Sequence, residues 1–195
     1  MRRAHGARSC VRGLPRRMLA ASLAVCAILA VAALTGCAAL HNPVPSCSDP
    51  QRLAIIAQSV PGAAYIPCIR GLPPGWSTSA FNPAQDGTSF RLNSDRSPQN
   101  PVMVHLTATC RLGRASPLRP RAPGVRTYSR LSSISPRVAG ILYDVFPGGC
   151  VSYRFDFALG PNIALTEQFE NTIGLYSRLQ LRLDLKNKLG VELNP

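Results

Sequence analysis

Apolar and polar positions alternate most clearly along Val151-Ser152-Tyr153-Arg154-Phe155-Asp156-Phe157, where every second residue is apolar. A period of two sends successive side chains to opposite faces, so this segment predicts a strand with one buried and one wet face. Val102, Val104, Leu106 and Ala108 alternate with Met103, His105 and Thr107 in the same way. Trp76 to Phe81 and Thr88 to Leu92 flank a loop that ends in Asp86-Gly87, the signature of a hairpin. Arg126 to Ile134 and Gly140 to Phe146 are further strands, and Gly148-Gly149 before Cys150 reads as the tight turn between two of them.

The period changes to that of a helix at the two ends of this β region. Ser48-Asp49-Pro50-Gln51 combines a Ser-x-x-Gln capping box with proline in the first turn. Leu53, Ile56, Ala57 and Val60 follow at helical spacing until Pro61-Gly62 stops the pattern. Leu165, Phe169, Ile173 and Tyr176 share one helical face, and a second box, Ser177-Arg178-Leu179-Gln180, opens a last helix that closes near Gly190. Within that helix Leu179, Leu181, Leu183 and Leu185 alternate as a strand would. No β-branched residue lies between Ser177 and Gly190, and Leu, Gln, Arg and Lys favour helix. The expected architecture is α+β: a mainly antiparallel sheet of about six strands, with one N-terminal and two C-terminal helices against one face.

The longest apolar run lies outside this pattern. Met18 to Leu34 carries no charge, and six arginines (Arg2, Arg3, Arg8, Arg12, Arg16 and Arg17) precede it with no acidic residue. A basic segment followed by an apolar one is the physical form of an export leader. It ends in Leu34-Thr35-Gly36-Cys37, which resembles the lipobox of bacterial lipoproteins. That resemblance implies cleavage before Cys37, a diacylglycerol thioether on its sulfur, and location on the extracytoplasmic face of the cell membrane. An uncut signal anchor is the alternative, since a spanning helix needs roughly 20 apolar residues. The arginine-rich, lysine-poor composition suggests a high-GC bacterium of actinobacterial type. The expected organisation is a leader over 1–36, a lipidated cysteine and short tether over 37–46, and one extracytoplasmic domain over 47–195. From Ala38 to Ser46 the nine tether residues span about 30 Å when extended, which keeps the domain near the membrane.

Without its leader the chain keeps 16 of 22 basic residues and all nine acidic ones, a net charge of +7. Its remaining 159 residues suit a single core. Four cysteines remain besides Cys37, namely Cys47, Cys68, Cys110 and Cys150, and an even number in an exported domain predicts two disulfides. Three pairings are possible. Cys47 with Cys68 and Cys110 with Cys150 is preferred, because the first pair brackets a helix and the second lies at the ends of two strands. Each bridge stabilises the fold by about 3 kcal/mol. No C-x-x-C spacing occurs, and no metal or cofactor is expected.

The strongest candidate chemistry is basic. Arg111, Arg114, Arg119, Arg121, Arg126, Arg130 and Arg137 lie in one segment, and no acidic residue occurs between Asp95 and Asp144. Guanidinium groups recognise phosphate and carboxylate through paired hydrogen bonds, so the segment is a candidate anion-binding surface. Outside the cytoplasm the partners it fits are anionic lipid, a wall polymer or an integral membrane protein, and nucleic acid is not expected. A solvated loop that only aids solubility is the simpler reading. Asp144, Arg154 and Asp156 lie on or near polar faces of successive strands. They suit cross-strand ion pairs, or else an acid/base pair in an envelope hydrolase or transferase that uses His105 or the two carboxylates. Trp76, after Pro73-Pro74-Gly75, suits a core anchor or a ligand contact.

The stretch Phe146-Pro147-Gly148-Gly149-Cys150-Val151-Ser152-Tyr153-Arg154-Phe155 and the closing Ser177-Arg178 helix resemble secreted actinobacterial proteins of no assigned function. The resemblance covers most of residues 46 to 195 and implies an exported compartment, with no activity attached. The functional expectation is a membrane-anchored, non-catalytic binding or accessory module.

Overall fold

The computed structural model describes residues 45–157 and 163–193. The expected leader, Leu34-Thr35-Gly36-Cys37 and the expected tether up to Val44 lie outside the described residues.

Helix α1 (Pro50–Ser59), the first among the described residues, starts where the sequence places it, although its cap is Asp49 rather than Ser48. The Asp49 carboxylate accepts from the Arg52 N–H at 3.3 Å, whereas the Ser48 hydroxyl pairs with Ser46. Asp49 wins because Pro50 fills the first helical position directly after it. Leu53, Ile56 and Ala57 then bury one stripe completely.

Strand β1 (Tyr65–Ile69) pairs antiparallel with a distant strand, β9 (Ile173–Ser177), to make a small two-stranded sheet. The main sheet contains β2 (Trp76–Ala84), β3 (Gly87–Ser94), β4 (Ser97–Thr107), β5 (Ser116–Leu118), β6 (Arg126–Ser133), β7 (Val138–Phe146) and β8 (Gly149–Phe157). All seven are antiparallel, in the order β2-β3-β4-β8-β7-β6-β5. The hairpin between β2 and β3 closes at Ala84 opposite Gly87, across Gln85-Asp86. The turn between β7 and β8 is Pro147-Gly148, with Phe146 opposite Gly149. Gly148 has φ +69°, and a Cβ there would lie 1.8 Å from the Gly62 carbonyl oxygen, so only glycine lets the loop after α1 sit on this turn.

Two helices follow, α2 (Ile163–Thr172) and α3 (Arg178–Leu189). Among the described residues the architecture is therefore α+β, with one helix before the strands and two toward the C-terminus. Nine strands among the described residues replace the expected six, because β1 and β5 are too short to show an alternation and β9 lies within the helical spacing that runs to Tyr176. The expected helix through Tyr176 ends at Thr172, and Ile173–Ser177 becomes β9. Ser177 does occupy the N-cap of α3, but its side chain makes no capping bond, and Gln180 donates to Asp184 instead. Leu181 and Leu185 are buried while Leu179 and Leu183 are exposed, which settles the helical reading.

The helices cover one face of the main sheet. Phe90, Leu92, Val102, Val104, Leu106, Tyr153, Phe155 and Phe157 project from that face into one core with Leu53, Ile56, Phe169 and Leu181. Phe169 of α2 packs 5.5 Å from Phe155 and 6.0 Å from Phe157 between ring centroids. Trp76 is a core anchor, and its indole N–H donates to Gln168 Oε1 at 3.0 Å. Full burial of each large side chain stabilises the fold by about 1.5–3 kcal/mol. Disulfides join Cys47 to Cys68 and Cys110 to Cys150, the preferred pairing. The first ties the entry of α1 to β1, and the second ties the chain after β4 to β8.

Candidate functional site: the uncovered sheet face

No helix among the described residues covers the other face of the main sheet. Its side chains are the polar members of the alternating strands, and the strand register fixes how they line up. Arg91 on β3 lies opposite Met103 on β4, which lies opposite Arg154 on β8; Arg154 lies opposite Ile141 on β7, which lies opposite Arg130 on β6. Three guanidinium groups thus alternate with two apolar side chains across five strands. Strands lie about 5 Å apart, so successive arginines start about 10 Å from one another. The neighbouring row runs Ser89, His105, Ser152, Tyr143, Tyr128 by the same register.

Two shallow hollows of about 320 Å³ each open along these rows. One is lined by His105, Thr107, Arg111, Arg130, Ser152 and Arg154, among others. The second shares Arg130, Ile141 and Arg154 with it and ends at Arg137 and Asp156. Asp156 pairs with Arg137 at 3.4 Å, both partly exposed. It is the one carboxylate among the described residues that lines either hollow. Arg111, Arg130, Arg154 and His105 are exposed. Such a surface attracts phosphate and carboxylate, offers tyrosine and threonine hydroxyls beside them, and holds apolar side chains between the charges.

The arginine-rich segment therefore divides. Arg111, Arg130 and Arg137 reach the open face, and Arg114, Arg119 and Arg126 are exposed. Arg121 is part-buried, and its guanidinium is engaged within the protein. It turns under the sheet, donates to Asp144 Oδ2 at 3.0 Å and to the carbonyls of Glu170 and Ile173 at 2.7 and 2.9 Å, and lies 5.2 Å from the Tyr153 ring centre.

Asp144, expected near the polar face, is fully buried on the covered one. Besides Arg121, it accepts from Thr127 at 2.8 Å and from the Tyr153 hydroxyl at 2.9 Å. Burial, reinforced by the Asp144 charge, pushes the Tyr153 hydroxyl well above its ordinary pKa, so it stays a donor. Burial also raises Glu170, with Arg121 opposing the shift. Asp144 and Asp156 consequently occupy opposite sides of the sheet and share no site. His105 lies opposite Ser152, four residues from Asp156 along β8, or about 13 Å. No carboxylate lies across from it, and among the described residues no three His, Cys, Asp or Glu side chains gather as for a metal.

The feature that sequence reasoning missed is the row itself. Arg91, Arg130 and Arg154 each occupy a polar position of an alternating strand, which signals a wet face. Their alignment depends on pairings between strands far apart in the chain. Comparison with protein-family models, with curated proteins and with solved structures finds no match for this chain.

Proposed function

We propose that this chain is a lipid-anchored extracytoplasmic module that binds anionic groups without catalysis, through the uncovered sheet face. Export and lipidation at Cys37 rest on the leader and on Leu34-Thr35-Gly36-Cys37. The observation that carries the binding reading is the row Arg91, Arg154, Arg130, joined by Arg111, on a face where, among the described residues, Asp156 is the one carboxylate lining the hollows. Guanidinium groups set about 10 Å apart suit a ligand with several phosphates or carboxylates, such as a wall polymer or an array of headgroups.

The test uses the full chain carrying Arg130→Glu and Arg154→Glu together. Binding is measured to poly(glycerol phosphate) and, separately, to phosphatidylglycerol vesicles, at two salt concentrations. The unaltered protein should bind one of them in a salt-sensitive way, and the double variant should bind at least about tenfold more weakly with an unchanged melting temperature. Equal binding by both proteins, or none by the unaltered one, would refute the reading.

A further inference from the structure

The outer surface of α3 carries an arrangement that neither the core nor the sheet face uses. Leu179, Arg182, Leu183 and Lys186 recur at i, i+3, i+4 and i+7 and so share one side of the helix. Leu181 and Leu185 occupy the buried side. Leu179 is 68% exposed and Leu183 47%, and Leu189 and Val191 extend the apolar surface at 41% and 53%. The acidic groups nearby are turned elsewhere or pair loosely. Asp184 accepts from the Tyr176 hydroxyl and from Gln180, and Glu192 stands 3.8 Å from Lys186 in a highly exposed pair. Four exposed large apolar side chains with cations among them form a surface that water solvates poorly and an anionic interface solvates well.

The entry of the chain lies close to this helix. The Ile69 N–H donates to the Pro45 carbonyl at 2.7 Å, which fixes the start of the described chain beside β1. At the other end of β1, Tyr65 pairs with Ser177, the residue before α3. The five residues of β1 thus separate Pro45 from Ser177 by about 15 Å.

We infer that the exposed face of α3 docks onto an anionic lipid bilayer, with Leu179 and Leu183 at the headgroup boundary and Arg182 and Lys186 against lipid phosphates. The nearness of that bilayer rests on the proposed anchor, whereas the chemistry of the stripe stands apart from it. Since α3 belongs to the layer covering one sheet face, the arginine row points away from the docked side. This narrows the two ligand sources proposed above for that row to the one on the wall side of the domain, a soluble or polymeric anion.

The test places tryptophan at Leu183→Trp in the otherwise unaltered full chain, reconstituted in vesicles of phosphatidylcholine with or without brominated phosphatidylglycerol. Trp76, the other tryptophan, is buried and supplies a constant background read from the unaltered chain. Docking gives blue-shifted emission quenched by the brominated lipid, and Arg182→Glu with Lys186→Glu lowers the quenched fraction at least about fivefold. Emission typical of water, unquenched, overturns the inference. A blue shift without quenching, as a second copy or a protein partner would give, overturns it as well. Either failure leaves polymer binding by the sheet face intact, and loss of polymer binding in the arginine variants leaves the quenching intact, so the two readings fail separately.

Discussion

Arg121 and Asp144 show how much depends on one side chain in this fold. The Asp144 carboxylate is removed from water and held by three donors, from Arg121, Thr127 and Tyr153. A buried ion with a partner lost costs far more than an exposed pair contributes. Arg121→Met should therefore lower the free energy of unfolding by about 3 kcal/mol or more, read from urea denaturation of the disulfide-bonded protein. Combining it with Asp144→Leu should recover much of that loss, because no unpaired charge then remains in the core. Little of this was legible in the chain. Arg121 sits among six other arginines with the same local composition, and Asp144 sits between apolar neighbours at a position whose face only the β6–β7–β8 register decides.

At the scale of elements, the end of α1 and the start of α3 are one structural unit. The Arg178 guanidinium donates to the carbonyl of Ala57 in the last turn of α1 and to those of Val60 and Ala63 just beyond it. Burial lowers its pKa, and Arg182 adds to that shift. Its positive charge also meets the negative end of the α1 dipole. Arg178→Met should cost about 2 kcal/mol and should speed amide hydrogen exchange in the last turn of α1 more than in the main sheet. Strand β9 follows a comparable logic. The sequence from Leu165 to Tyr176 has helical spacing, yet Gly174 must pass 3.1 Å from Cys47 Sγ, measured to a Cβ it lacks, and pair with Cys68 of β1. Backbone pairing beside the Cys47–Cys68 bridge overrides a periodicity that local propensity alone favours. The longer elements β3, β4, β7, β8, α1 and α3 were legible because each repeats its pattern over two or more turns or over several alternations.

For the whole molecule, the leader and the folded domain pose separate questions. Replacing Cys37 by Ala in the expressed full chain should leave an uncut precursor or release the protein from the membrane, as followed by fractionation and mass measurement. Unchanged cleavage and membrane retention would remove lipidation from the proposed function. The sequence alone determined the α+β class, the wet and buried sides of the major strands, and the cysteines available for bridging, and it carries the proposed compartment that this experiment addresses. Each of these follows from local composition or from a period of two or 3.6, which a chain carries whatever its tertiary structure. Only the folded structure decided that Asp144 and Asp156 lie on opposite faces, that Arg121 turns inward to Asp144, and that Arg91, Arg154 and Arg130 form one row. Those facts depend on register and strand order between segments up to tens of residues apart, and hydrogen-bonded pairing in three dimensions is where such order is set.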